Sequence, residues 1–186
     1  AAYPEGHIDC LDPRENIRHL RAKQDAGADF FITQLFFNND DFYRFREAAE
    51  SAGVTAPISC GIMPFLGKSQ IQRMVFLCGS SLPAPIIKLL AKYEDDPASL
   101  RQAGIEYACN QLVDLGRHGV DGLHVYAMNQ PDIACAAAEA VAAARSAAMG
   151  SSEPSETLAA SPVYQAAFAE ARRRIEQLEA AFDVEA

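Results

Sequence analysis

The run FFITQLFF, residues Phe30 to Phe37, constrains the fold more than any other part of the sequence. It is short and rich in aromatic residues, and its one polar pair, Thr33 and Gln34, lies near its C-terminal end. A strand that helices cover on both faces has this composition, because neither face meets water. The run therefore predicts a strand in a parallel sheet.

Helix signals separate this run from two further strand-like runs, PISCGIM at 57–63 and VDGLHVYAM at 120–128. Helices are predicted over residues 12–26, 38–52, 68–77, 84–92, 96–118 and 129–148. Two of them begin with a capping aspartate followed by proline, Asp12-Pro13 and Asp96-Pro97. Strands that alternate with helices indicate an α/β fold with parallel strands.

The C-terminal end of the sequence has a different character. Residues 150–162 are rich in Ser, Glu and Pro, which is typical of a linker. Residues 163–186 predict one more helix with an apolar stripe. The sequence thus suggests three parts: a domain over 1–149, a linker over 150–162 and a C-terminal helix over 163–186.

Composition argues against several classes of protein. The net charge of −9 gives no positive field for nucleic acid or for an anionic membrane. The five cysteines have no metal-ligand spacing, so we expect reduced thiols, a cytoplasmic location and no metal site. The sequence has neither an apolar run of membrane-spanning length nor a signal peptide at its start.

Ligands of parallel α/β proteins bind at the C-terminal ends of strands. This rule selects Gln34, the 64–70 loop, Asn129-Gln130 and the opening segment Tyr3 to His7, which we expect to follow a strand. Gln34 is the sharpest candidate, because a carboxamide among phenylalanines needs a hydrogen-bond partner. That partner is either the amide-like edge of a ligand or a neighbouring backbone group, and the sequence leaves both open.

Three further side chains are candidates for contacts with a phosphate or a ribose: Lys23, His7 and His19. The alternative for each is a solvated side chain with no ligand. The sequence has no phosphate-binding glycine motif and no recognisable Ser-His-Asp or Cys-His arrangement. No catalytic residue is therefore assigned within this chain.

A series of motifs in the first 148 residues resembles one enzyme family, methylenetetrahydrofolate reductase. The motifs are AAYPEGH at 1–7, DAGAD at 25–29, ITQLFF at 32–37, RFR at 44–46, SAG at 51–53, GIMP at 61–64 and HVYAMN at 124–129. The resemblance implies the C-terminal part of a (β/α)8 barrel with FAD at the strand ends. In that family NAD(P)H reduces the flavin, which then reduces methylenetetrahydrofolate to methyltetrahydrofolate, a reaction of one-carbon metabolism and methionine biosynthesis.

The resemblance also implies roles for individual residues. Those expected to contact FAD are Tyr3, His7 and Lys23, with Asn16 and His19 at positions where the family pattern differs. Those expected to contact the folate are Gln34, which also meets the nicotinamide, together with Gln70, Met74 and Gln130. Two substitutions bear on folate binding, because Met74 stands in place of an aromatic residue and Gln130 in place of an arginine.

The family's general acid is a glutamate in a first strand of the type FEFFPP, and this sequence has no such strand. We therefore expect the chain to begin within the fold and to need an N-terminal half, a second subunit or a dimer partner. Alone it is expected to be inactive and to bind FAD poorly. One alternative is a non-catalytic half-barrel that serves as a binding or interaction module, and another is a different phosphate-binding barrel with chance similarity.

Overall fold

The computed structural model describes residues 1–10 and 12–148, so the predicted linker and C-terminal helix lie outside the described residues. The helices are α1 Pro13–Asp25, α2 Asn39–Ser51, α3 Lys68–Cys78, α4 Ala84–Lys92, α5 Pro97–Arg117 and α6 Pro131–Ala148. The strands are β1 Phe31–Ile32, β2 Ile58–Ile62 and β3 Gly122–Val125. No helix in the described ranges has the length and apolarity needed to cross a membrane.

The three strands form one parallel sheet in the order β1-β2-β3. Ala2 extends this sheet beyond β1, because it forms a parallel bridge with Thr33. Its backbone N–H donates to the carbonyl of Ile32 at 2.9 Å, and its carbonyl accepts from the N–H of Gln34 at 2.7 Å. The predicted parallel α/β fold is confirmed, and the order of elements is that of part of a (β/α)8 barrel.

The strand at FFITQLFF is much shorter than predicted. Only Phe31 and Ile32 belong to β1, with Thr33 in the bridge to Ala2. Beyond Gln34 the chain leaves the sheet, and the following phenylalanines are buried in the hydrophobic cores instead. The prediction of an eight-residue strand was wrong because burial against helices produces the same apolar pattern as burial within a sheet.

β3 is also shorter than its predicted range of 120–128. Before the strand, the side chain of Asp121 accepts a hydrogen bond from the backbone N–H of Ile58 at 2.9 Å. After it, Met128 and Asn129 adopt left-handed backbone angles, with φ of 52° and 59°. These angles are incompatible with an extended strand, so the chain turns towards α6.

Two hydrophobic cores lie on different parts of the sheet. The first joins β1 and β2 to α1, α2 and α5, and includes Leu20, Phe42, Cys60 and Leu112. The second lies beyond the C-terminal ends of β1 and β2, where residues that follow the strands pack with α3, α4 and α5. Its buried members are Leu35, Phe37, Met63, Phe65, Ile71, Ile86 and Leu100.

α5 takes part in both cores because it is long, with 21 residues. At about 1.5 Å per residue it measures roughly 31 Å, whereas the five residues of β2 span about 17 Å. Its C-terminal half packs Leu112 and Leu115 on the first core, and its N-terminal half packs Leu100 on the second. The N-terminal half of α5 therefore extends past the strand ends and forms a wall beside them.

α1 is attached to the turn before β2 by two polar side chains. Arg21 donates to the carbonyl of Gly53 at 3.0 Å. The side-chain oxygen of Gln24 accepts from the backbone N–H groups of Thr55 and Ala56, at 2.7 and 2.8 Å. These bonds satisfy backbone groups of a turn that has no sheet partner there, and they fix α1 against the start of β2.

Candidate functional site

Three glutamines follow the three strands of the sheet. Gln34 comes after β1, Gln70 lies in the first turn of α3 after β2, and Gln130 precedes α6 after β3. The C-terminal ends of parallel strands share one edge of a sheet, so the structure carries these three predicted folate-site residues at the same edge. We call this edge the strand-end mouth.

The carboxamide of Gln34 is half-buried, and only one end of it is satisfied. Its side-chain oxygen accepts a hydrogen bond from the backbone N–H of Leu35 at 3.0 Å. Its amide nitrogen has no acceptor among the described residues. The neighbouring-backbone alternative from the sequence therefore applies to the oxygen alone, and the nitrogen remains available to a ligand.

In Gln70 and Gln130, too, the side-chain oxygen is the atom that accepts a hydrogen bond. The oxygen of Gln70 accepts from the backbone N–H of Leu66 at 2.6 Å, and the oxygen of Gln130 accepts from the guanidinium of Arg101 at 2.8 Å. Backbone N–H groups and guanidinium groups are donors only, so each must face the oxygen of a carboxamide rather than its nitrogen. The strand-end mouth thus presents three amide NH2 groups without acceptors in the described part of the chain.

Four of the residues expected to contact FAD lie together at the Ala2 side of the sheet. The rings of Tyr3 and His7 pack edge to face, with centroids 4.7 Å apart. The ammonium of Lys23 lies 5.3 Å from the centroid of Tyr3, and the side-chain nitrogen of Asn16 donates to the carbonyl of Tyr3 at 2.9 Å. An aromatic face, an imidazole and a cation are thereby placed side by side.

The other two expected site residues are His19 and Met74. His19 is exposed on α1, and its Nε2 atom lies 3.1 Å from a carboxylate oxygen of Glu15 on the same helix. Met74 lies on α3 and packs, partly buried, against the second core. Their positions are therefore explained by contacts with other parts of this chain.

Two polar residues near the strand ends were not identified from the sequence. Arg101 bonds both Gln130 and the carboxylate of Asp132, the latter at 2.6 Å, and no sequence signal links it to a residue 29 positions away. Glu5 accepts from the backbone N–H of Ser81 at 2.9 Å, while its other side-chain oxygen is buried without a partner. Glu5 lies within the opening segment that the strand-end rule selects, although no individual role was predicted for it.

A cavity of about 880 Å3 lies between the opening segment, α1 and α2. Apolar side chains such as Ile17 and Phe45 line it together with Arg14, Arg18 and Arg44, and none of the three glutamines reaches it. Arg18 pairs with Glu15 and Arg44 with Asp41, each on its own helix. His7 and Asn16, two of the residues expected to contact FAD, also line this cavity, whereas the three glutamines of the strand-end mouth lie outside it.

A parallel sheet whose strands alternate with helices in this order defines the class as an α/β protein of the barrel type. The sequence profile described as methylenetetrahydrofolate reductase matches residues 1–141. The chain belongs to the methylenetetrahydrofolate reductase family.

Individual relatives are similar over the same region. Methylenetetrahydrofolate reductase (NADH) 1 of Arabidopsis thaliana is 31% identical over 138 residues, which is 69% of this chain and 23% of the relative. The probable methylenetetrahydrofolate reductase (NADPH) of Caenorhabditis elegans is 35% identical over 133 residues, 70% of this chain and 20% of the relative. The 5,10-methylenetetrahydrofolate reductase of Escherichia coli K12 is 31% identical over 136 residues, 73% of this chain and 46% of the relative. The chain thus spans less than half the length of these relatives.

Proposed function

We propose that this chain is the C-terminal part of a methylenetetrahydrofolate reductase barrel that uses FAD and NAD(P)H. The observation that carries the proposal is Gln34, whose amide nitrogen, at the end of β1, has no acceptor in residues 1–10 and 12–148. Both proposed substrates, a reduced pterin and a nicotinamide, have carbonyl oxygens that accept hydrogen bonds. A single fixed donor therefore suits a site that two substrates use in turn.

The backbone around Gln34 supports a fixed donor. The hydroxyl of Thr33 accepts from the backbone N–H of Gly61 at 2.8 Å, and the hydroxyl of Tyr126 donates to the carbonyl of Thr33 at 2.8 Å. These bonds join the strand ends of β1, β2 and β3 next to the glutamine. Gln34 thus needs little reorganisation to meet a ligand, which favours binding.

The residues at the Ala2 side of the sheet fit the chemistry of FAD. Lys23 provides a cation for a pyrophosphate and Tyr3 an aromatic face. The Nδ1 atom of His7 accepts from the N–H of Asp9 at 3.1 Å, so its Nε2 atom is left as a donor for a ribose or phosphate oxygen. Asn16 uses its nitrogen on Tyr3 and retains an oxygen acceptor. When bound, FAD would supply hydride transfer between NAD(P)H and the folate.

We assign the remaining parts of the site to polypeptide outside this chain. The general acid that protonates the folate nitrogen is proposed to lie there, because the sequence has no strand of the FEFFPP type. We also propose that residues 1–149 form the barrel portion, 150–162 a linker and 163–186 a helical extension. The chain's share in the reaction is then to bind and orient both substrates.

The proposal is tested on the full gene product that contains this sequence. We expect purified protein with flavin absorbance near 450 nm, NAD(P)H oxidation with a quinone acceptor, and reduction of methylenetetrahydrofolate. The isolated 186-residue chain should bind FAD poorly. A colourless full-length protein that added FAD does not reconstitute would contradict the assignment and favour the non-catalytic binding module.

Gln34 offers a matched pair of variants. Gln34→Ala removes the donor and the bond from Leu35, whereas Gln34→Glu keeps an oxygen for Leu35 and replaces the NH2 donor with a second, charged oxygen. Both should lower kcat/KM for the folate by about tenfold or more, since one lost hydrogen bond to a ligand is worth on the order of 1.4 kcal/mol. Unchanged folate turnover in Gln34→Glu would show that the donor is not used.

A further inference from the structure

Arg101 connects the wall formed by α5 to the loop after β3. Its guanidinium donates to the side-chain oxygen of Gln130 at 2.8 Å and to the carboxylate of Asp132 at 2.6 Å. Arg101 is partly buried and lies on the part of α5 that extends past the strand ends. It is therefore a fixed group at the strand-end mouth.

The backbone that presents Gln130 is held in an uncommon conformation. Met128 and Asn129 both have positive φ angles, although neither is glycine. Such angles cost free energy and persist where surrounding contacts impose them, often at functional sites. The N–H of Gln130 donates to the carbonyl of Ala127 at 3.0 Å, which closes the turn with the glutamine in reach of Arg101.

The guanidinium determines which end of the carboxamide faces away from it. The terminal torsion of a glutamine is broad, so without a specific partner its oxygen and nitrogen exchange places readily. A guanidinium only donates, so it holds the oxygen and leaves the NH2 group directed elsewhere. Arg101 thus makes Gln130 a donor, as the backbone does for Gln34 and Gln70.

Asp132 limits what else Arg101 contributes. The hydrogen bond from Arg101 lowers the pKa of Asp132, so this carboxylate stays ionised at neutral pH. It therefore offsets the charge of the guanidinium under working conditions. An effect of Arg101 on a bound ligand is then transmitted through Gln130 rather than exerted as a free cation.

We propose that Arg101 is a positioning residue that fixes the amide of Gln130 as a donor to an acceptor-bearing group of the folate, a carbonyl or carboxylate oxygen. This inference rests on the proposed function and adds to it a residue on α5 that the resemblance does not assign. The family commonly has an arginine at the position of Gln130, and the inference gives Gln130 a defined chemical role there. Donation from an amide replaces donation from a guanidinium there.

The test compares variants of the full gene product in folate reduction. Gln130→Glu keeps an oxygen for Arg101 but removes the NH2 group, and Arg101→Met removes the guanidinium but keeps Gln130. Both should raise KM for the folate about fivefold to tenfold with kcat within about twofold, the size expected for one hydrogen bond. Gln130→Glu should melt no lower than the wild type, since its link to Arg101 becomes an ion pair. Arg117→Met, the same change at the other, exposed end of α5, should leave KM unchanged.

A double-mutant cycle separates positioning from direct contact. In a Gln130→Met background, Arg101→Met should cause no further rise in KM, because its target is already absent. A further rise there, or a wild-type KM for Gln130→Glu, would overturn the positioning role. If the wild-type protein reduces no folate at all, the proposed function fails and this role fails with it. If the wild-type protein reduces folate and the variants have the same KM, the role alone is refuted.

Discussion

Gly104 of α5 lies directly against the backbone of Phe65, in the loop that follows β2. A Cβ atom on Gly104 would lie 2.8 Å from the carbonyl carbon of Phe65 and would overlap its oxygen. α5 therefore approaches this loop at a distance that only glycine allows. The contact closes the second core on the side of α5 and sets the position of the loop that leads to Gln70.

The first prediction uses this contact. Gly104→Ala should lower the free energy of unfolding by about 3 kcal/mol, because the added methyl group displaces backbone rather than a flexible side chain. Gly116→Ala is the matched control in the same helix, since a Cβ there meets nothing within 4 Å. It should stabilise the protein by up to about 1 kcal/mol through helix propensity. Chemical denaturation of both variants measures the difference, and equal stabilities would contradict the packing described here.

The second prediction concerns the buried hydroxyl of Thr33. Thr33→Val keeps the side-chain shape but leaves the N–H of Gly61 without its acceptor, at a cost of about 1–3 kcal/mol. Thr33→Ser retains the hydroxyl and loses only a methyl group, so it should cost about 1 kcal/mol. Thermal unfolding of the two variants shows whether loss of the hydroxyl or loss of the methyl group costs more stability. A serine variant less stable than the valine variant would mean that packing of the methyl group dominates.

The third prediction concerns acid stability. Partial burial raises the pKa of Asp114, but hydrogen bonds from Asn39 and Tyr43, both 2.7 Å long, outweigh burial and hold the pKa below its ordinary value. A carboxyl with a lowered pKa in the folded state stabilises the fold above pH 3.8, and this contribution is lost as the pH falls through the folded pKa.

Asp114→Asn should therefore be less stable than the wild type near pH 6 by about 1 kcal/mol, a low value because the carboxyl is half exposed. The difference should shrink below pH 3.8. Melting temperatures between pH 2 and pH 6 measure it, with Asp29→Asn, an exposed aspartate, as the control. A difference that stays constant with pH would exclude the ionised carboxyl as its origin.

The fourth prediction concerns thiol reactivity. Burial raises the pKa of the Cys60 thiol to about 12, whereas Cys135 is exposed on α6. Since the thiolate is the reactive form, iodoacetamide at pH 8 should label Cys135 and leave Cys60 unmodified until the protein unfolds. Peptide mass spectrometry before and after denaturation reads the two sites separately. Labelling of Cys60 in the folded protein at the rate of Cys135 would disagree with its place in the first core.

The sequence was a good guide to the helices. α4 has the predicted bounds, and α1 and α5 begin after the predicted aspartate caps, where Asp12 and Asp96 accept backbone N–H groups. Caps are local, so a short stretch of sequence contains the whole signal. The end of β1 has no such signal, because pairing there depends on Ala2 and β2, which are distant in sequence.

The location of the candidate site was predictable from the sequence, but which end of each carboxamide accepts a hydrogen bond within the protein was not. Parallel strands end at a common edge, and this topology was enough to select Gln34, Gln70 and Gln130. Which end of each carboxamide is free depends on the donor it meets. For Gln130 that donor is Arg101, and only the folded arrangement of α5 beside β3 brings the two together.

The two hydrogen bonds that Gln24 accepts from Thr55 and Ala56 have a mechanical consequence. Hydrogen bonds weaken steeply once donor and acceptor separate, so a shift of α1 by about 1 Å would break both. An adjacent face of α1 carries Asn16 and Lys23, the side chains next to Tyr3. A displacement of α1 beside Tyr3 therefore either breaks these two bonds or moves the segment that leads into β2.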